Sequence, residues 1–135
     1  MLSLRLGSIL AASHPFPLPF FRLSARPGTR RSSMIWAEFR DPSGDCEALA
    51  ATISNVPESL GLDLGVTMRA FKPHVTLARA RRPRPLQASA LQAGSHAVSA
   101  GARTMSVLSA TLFTSTLTRH GPIYDALKTW PLRDW

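Results

Sequence analysis

The sequence predicts an α+β fold with a mostly antiparallel sheet, and three observations carry that prediction. Segments of alternating apolar residues and one segment of helical spacing follow each other as strand, strand, helix, strand, strand. The 135 residues are 44% apolar and 18% charged, which suits one folded domain over 1–135 and argues against wholesale disorder. Cys46 is the single cysteine, so neither an internal disulfide framework nor a cysteine-rich zinc site is available. The lone thiol suits a reducing compartment, read here as the cytoplasm. No run approaches the ~18 consecutive apolar residues of a membrane-spanning helix, and no membrane partner is expected.

Residues 1–33 carry five arginines and no acidic residue, with abundant Ser, Pro and Leu. Two readings fit: a cleaved transit peptide, or the end of a helix over Met1–Ser13 followed by a strand over Phe16–Ser24. In that strand Phe16, Leu18 and Phe20 alternate in one phase, and Phe21 and Leu23 in the other, so a bulge is expected between them. Pro15, Pro17 and Pro19 predict a sheet edge, because proline cannot donate to a ladder.

Arg26–Ser33 reads as a turn around Pro27-Gly28. Met34–Phe39 is a strand, with Ile35, Ala37 and Phe39 on one face and Met34, Trp36 and Glu38 on the other. A helix over 44–56 follows, with Ser43 as a candidate cap and Leu49, Ile53 and Val56 as its apolar stripe; Pro57 ends or kinks it. Gly61 and Gly65 mark a turn, and Val66–Ala80 reads as extended. Arg81–Pro85 is too proline-rich for a helix or a central strand and is expected as a basic loop. Leu86–Gly94 suits a short helix, and Thr104–Leu117 gives the strongest strand signal of the chain. After the turn at His120-Gly121-Pro122, Ile123–Trp130 suits either a helical turn or a strand, and Pro131 stops it.

Sixteen basic residues stand against eight acidic ones, a formal charge of +8, and fourteen of the sixteen are arginine. A polyanionic partner suits that balance, and the planar guanidinium suits phosphate; a solvated basic surface is the plainer alternative.

Chemistry near neutral pH points to the histidines, since imidazole both gives and takes a proton there. His14, His96 and His120 lie in a loop, in a Ser/Ala/Gly stretch with the look of a mobile segment, and in a turn, and read as surface residues. His74 differs. In Pro73-His74-Val75-Thr76-Leu77-Ala78-Arg79 the imidazole and the Thr76 hydroxyl stand two apart, on one face of a strand. Val75 and Leu77 point the other way, into an expected core. Lys72 shares the His74 face. Arg79 reaches it only if the strand ends or bulges near Ala78. A hydroxyl that holds a phosphate oxygen beside a ring that moves a proton suits phosphate-ester chemistry.

PHVTLAR, residues 73–79, resembles the second His-x-Thr signature of the 2H phosphoesterases, in the branch of RNA 2',3'-cyclic phosphodiesterases, or 2'-5' RNA ligases. MIWAEF at 34–39, the helix at 44–56, Phe71 ahead of the motif and the segment 106–132 are similar to that family's elements in that family's order. The resemblance implies a bilobal α+β fold of antiparallel sheets with flanking helices, each lobe carrying one His-x-Thr strand beside a groove. It implies metal-independent hydrolysis of RNA ends bearing a 2',3'-cyclic phosphate, without a cofactor. Carried onto this sequence, His74 is a catalytic histidine and the general base. Thr76 is its catalytic and phosphate-binding partner, and Arg79 is the basic residue that closes the phosphate site.

One departure bears on activity. No other histidine is followed two residues on by threonine, so a first His-x-Thr strand is missing and the resemblance spans the second lobe and part of the first. For that reason helix-plus-strand is preferred over a transit peptide at 1–33. The alternative function is a non-catalytic basic RNA-binding remnant, with Arg79, Arg81, Arg82 and Arg84 along its groove; a mis-started, non-folding product is a third reading.

Overall fold

In chain order the elements are α1 (Leu2–Ala11), β1 (Phe16–Arg26), β2 (Ser32–Phe39), α2 (Asp45–Ser54), α3 (Val56–Ser59), β3 (His74–Arg84), α4 (Ala88–Ser99), β4 (Thr104–Val107), β5 (Ser109–Thr118) and β6 (Gly121–Pro131). They come from a computed structural model that describes residues 2–61 and 71–133. The expected turn at Gly65 and the extended reading of 66–70 lie outside the described residues. The predicted α+β class with antiparallel sheets is what the structure shows.

The described residues form two compact units. The first holds α1, α3 and the β5–β6 hairpin. Its core gathers Leu6, Leu10, Phe16, Val56 and Leu132, all nearly inaccessible to water. α1 packs on β6 closely enough that a Cβ on Gly7 would lie 3.3 Å from the Trp130 indole nitrogen. In the hairpin Thr118 pairs with Gly121, leaving a two-residue loop, and Gly121 adopts φ +117°, a conformation L residues rarely take. The segment at 123–130, open between turn and strand by sequence, is strand β6, and it ends at Pro131 as expected. The single strand expected over 104–117 is two, β4 and β5, separated at Leu108.

The second unit is built on a four-stranded sheet in the order β3-β2-β1-β4. β1 shows the bulge its phase change predicts: Phe20 faces Phe39, Arg22 faces Glu38, and Phe21 has no opposite number. The expected edge position is corrected, because β1 runs between β2 and β4. Pro17 and Pro19 are tolerated there because they precede Phe20, where the ladder to β2 begins. Pro19 takes part only through its carbonyl, which accepts the Arg40 N–H at 2.8 Å.

The basic loop expected at Arg81–Pro85 is also corrected: β3 continues through Arg84. β3 is an edge strand, and an edge accommodates Pro83 where a central strand would not. Val75 and Leu77, expected in a core, are 41% and 57% exposed. α2 starts on the carboxylate of Asp41, which accepts the N–H groups of Cys46 and Glu47 at 3.2 and 2.9 Å. The candidate cap Ser43 instead donates to Asp45. Burial, and next the charge of Asp41, push the Cys46 thiol pKa up. Pro57 stands second in the short helix α3, which starts at Val56 after α2 has ended, a first-turn position that suits a residue lacking an N–H. α4 is longer than expected and takes in His96, so the stretch read as mobile is helical.

Candidate functional site

β2 lies between β1 and β3, and its residues Met34, Trp36 and Glu38 organise one face of the sheet. Opposite them on β1 stand Arg26, Ser24 and Arg22. On β3 stand Arg79, Thr76 and His74. Directly paired residues of an antiparallel ladder share a face, so the register gathers these nine side chains on one surface.

Arg79 is on that surface because of a bulge. Trp36 faces Thr76 and Ile35 faces Ala78, which leaves Leu77 as the extra residue. The slip returns Arg79 to the His74 phase, and its guanidinium reaches Met34 Sδ at 3.2 Å. The condition that alternation imposes on Arg79 is therefore met. All three predicted site residues lie on one strand face, His74 and Arg79 exposed and Thr76 half-buried.

His74 is fixed by two contacts. Its Nδ1 lies 2.7 Å from the Lys72 carbonyl oxygen, which only accepts, so Nδ1 carries the proton. In the neutral ring the lone pair is then at Nε2. Its plane lies on the Trp36 indole, centroids 3.6 Å apart and planes 13° apart. From the other neighbouring strand, the Arg26 guanidinium carbon sits 4.5 Å from the same indole centroid.

Arg26 is in turn held by Glu38. The Glu38 carboxylate accepts from Arg22 Nε at 2.6 Å and from an Arg26 terminal nitrogen at 2.7 Å, and its side chain is 6% exposed. Burial pushes the Glu38 pKa up, but the hydrogen bond and charge of Arg22, followed by those of Arg26, outweigh it and hold the carboxyl below its ordinary range. The buried carboxylate is thus a structural anion. The face as a whole stays cationic, with Arg22, Arg26, Arg79 and the nearby Lys72 around it.

A cleft of about 500 Å³ runs along β1 and α4, lined in part by Arg22, Ser24, Arg26, Lys72, Ser95 and His96. Lys72 thus joins the cationic surroundings, as its position two residues before His74 suggests. The other histidines are placed elsewhere. His14 Nδ1 lies 3.2 Å from the Arg133 carbonyl oxygen, His96 is exposed on α4, and His120 is in the β5–β6 turn. Among the described residues, no group of three or more His, Cys, Asp or Glu has metal-binding proximity, and no helix is long and apolar enough to cross a membrane.

Sequence reasoning did not find Trp36, Arg22, Arg26 or Glu38 as parts of this site. Their shared phase on each strand is readable. The register that sets Trp36 against His74 and Glu38 between two arginines is not.

The profile of the LigT like Phosphoesterase family matches residues 41–124. No curated protein gives a significant match. Among solved structures, TT0787 of Thermus thermophilus is similar at TM-score 0.65 and 25% identity, over 98% of this chain and 69% of that one. E. coli LigT complexed with 3'-AMP is similar at TM-score 0.65 and 23% identity, over 98% of this chain and 67% of that one. A structure described as a phosphoesterase gives TM-score 0.63 and 24% identity, over 98% and 67%. The profile match covers most of the chain and includes the His74–Arg79 strand, and on that match the chain belongs to the LigT-like phosphoesterase family of the 2H phosphoesterase superfamily.

Proposed function

We propose that this chain is an RNA 2',3'-cyclic phosphodiesterase that opens a terminal cyclic phosphate with water, using His74 as general base. The observation that carries the reading is the fixed tautomer of His74, with Nδ1–H on the Lys72 carbonyl and the lone pair at Nε2, on the face that also holds Thr76 and Arg79. The family supplies the reaction class, phosphoester hydrolysis. The 3'-AMP bound to E. coli LigT supports a ribonucleotide phosphate as the class of ligand.

In this mechanism the Thr76 hydroxyl and the Arg79 guanidinium hold the phosphate oxygens. Water attacks phosphorus and gives a proton to His74 Nε2. One phosphorus–oxygen bond to the ribose breaks, the departing oxygen takes up one proton, and the sum is the addition of one water. The step uses side chains alone and no metal. His74 belongs to the one His-x-Thr of this sequence and is the group assigned the proton taken from water.

The test is hydrolysis of a ribonucleoside 2',3'-cyclic phosphate, followed by chromatography without added metal and again with chelator. The wild-type chain converts it to the monophosphate in both conditions. His74→Ala abolishes the measurable rate, and Arg79→Ala raises KM more than it lowers kcat. Full turnover by His74→Ala would refute the assignment.

A further inference from the structure

The register of β3 against β2 changes abruptly beyond Arg79. Met34 faces Arg79, but Ser32 faces Arg84, so Ala80, Arg81, Arg82 and Pro83 lie against Ser33 alone. Four residues opposing one make a wide bulge that carries two adjacent arginines out of the ladder at a sheet edge. Arg84 follows directly. All three arginines are exposed, and with Ala80 they line an open cleft of about 540 Å³. Among the described residues none of the three is in an ion pair, the two pairs present both belonging to Glu38. Pro83 and Pro85 restrict the backbone on both sides of Arg84, which lowers the entropy lost when the cluster engages a ligand.

This cluster lies on the same strand as His74 but well away from it. On β2 the partners run from Glu38, opposite His74, to Ser33, beside residues 80–83, so at ~3.3 Å per residue these five steps amount to about 17 Å, a length a stacked RNA strand covers in about five nucleotides. A mononucleotide held at His74 does not extend that far. We infer that Arg81, Arg82 and Arg84 form a tract for the backbone phosphates of single-stranded RNA, contacting the strand several nucleotides from the end held at His74. The inference rests on the RNA-end reading above and adds to it a second contact region, which makes the chain prefer long ends to cyclic mononucleotides. Backbone phosphates are its target, because a run of exposed guanidinium groups, none in an ion pair among the described residues, matches repeating negative charge.

The experiment compares the full chain with its Arg81→Ala/Arg82→Ala/Arg84→Ala and Arg81→Lys/Arg82→Lys/Arg84→Lys variants. Binding of a fluorescent single-stranded 12-nucleotide RNA is followed by anisotropy across a salt series. Hydrolysis of a cyclic mononucleotide is measured in parallel. Each phosphate neutralised contributes about 0.7 to the slope of log affinity against log salt for a single strand, so three arginines contribute about 2. The alanine variant is expected to lose about 2 from that slope and at least tenfold in affinity at low salt. The lysine variant is expected to keep the slope, and mononucleotide turnover is expected to be unchanged in both variants. An alanine variant with wild-type slope and affinity would overturn the tract, as would equal losses in the alanine and lysine variants. Absence of mononucleotide turnover in the wild type would instead remove the hydrolytic reading, while the anisotropy result still decides the tract.

Discussion

The side chain on which the proposed chemistry depends, His74, is held through its neighbours rather than by its own burial. Trp36 supplies a flat surface for the imidazole at 3.6 Å, and the Lys72 carbonyl fixes its tautomer. Trp36→Leu keeps an apolar side chain and removes the flat surface. It is expected to lower kcat about tenfold with less than a threefold change in KM, the pattern of a misplaced proton acceptor rather than lost binding. Steady-state kinetics on a cyclic mononucleotide check this. Glu38 makes a different prediction, about stability. Its folded-state pKa is depressed, so its contribution is present above the unfolded value of ~4.3 and lost as pH falls through the folded value. Glu38→Gln is expected to cost about 1–2 kcal/mol at pH 7, a modest figure because Arg22 is half-exposed and screened. In urea melts the difference from wild type should shrink toward pH 3. A difference that grows on acidification would contradict the role given to this carboxylate.

At the scale of elements, α4 is tied to β1 by a contact that no periodicity announces. The Ser95 hydroxyl accepts the Leu23 N–H at 2.9 Å and donates to the Leu91 carbonyl at 2.7 Å. One residue away, a Cβ on Gly94 would lie 2.8 Å from Leu23 Cδ1. Ser95→Ala leaves the Leu23 N–H without its acceptor and is expected to cost about 1–2 kcal/mol by chemical denaturation. Gly94→Leu forces the helix off the strand, with an expected cost of about 1–3 kcal/mol. The elements also show what a sequence conveys. Strand existence and phase are local properties, so β1, β2 and the shared face of His74 and Thr76 were legible, as was the bulge at Phe21, whereas Arg79 joins that face only through the slip at Leu77. Strand order is not local. The three prolines before Phe20 pointed to an edge that β1 does not occupy, and Pro83 and Pro85 pointed to a loop where edge strand β3 continues. The same limit hid Trp36, because the ring stack that sets it on His74 joins residues 38 positions apart.

For the molecule as a whole, charge and apolar exposure are the informative quantities. The β5–β6 hairpin leaves Phe113, Leu117, Ile123, Tyr124 and Leu127 between 52% and 85% exposed. So much apolar surface on one hairpin should bind a hydrophobic dye. The folded chain is expected to enhance 8-anilinonaphthalene-1-sulfonate fluorescence in native buffer, and Leu117→Ser/Leu127→Ser to reduce that signal. Its +8 charge makes binding to polyanions salt-dependent throughout, so any RNA affinity has meaning only with its ionic strength. The central claim is narrower: among four histidines, His74 is the one that meets the phosphate. A ¹H–¹³C correlation spectrum of the full chain resolves one Cε1 signal for each histidine, assigned by single substitutions. Titration with a ribonucleoside 2',3'-cyclic phosphate should move the His74 signal at the lowest ligand concentrations and leave those of His14, His96 and His120 in place. A shift confined to another histidine, or none at His74 at saturating ligand, would contradict the account.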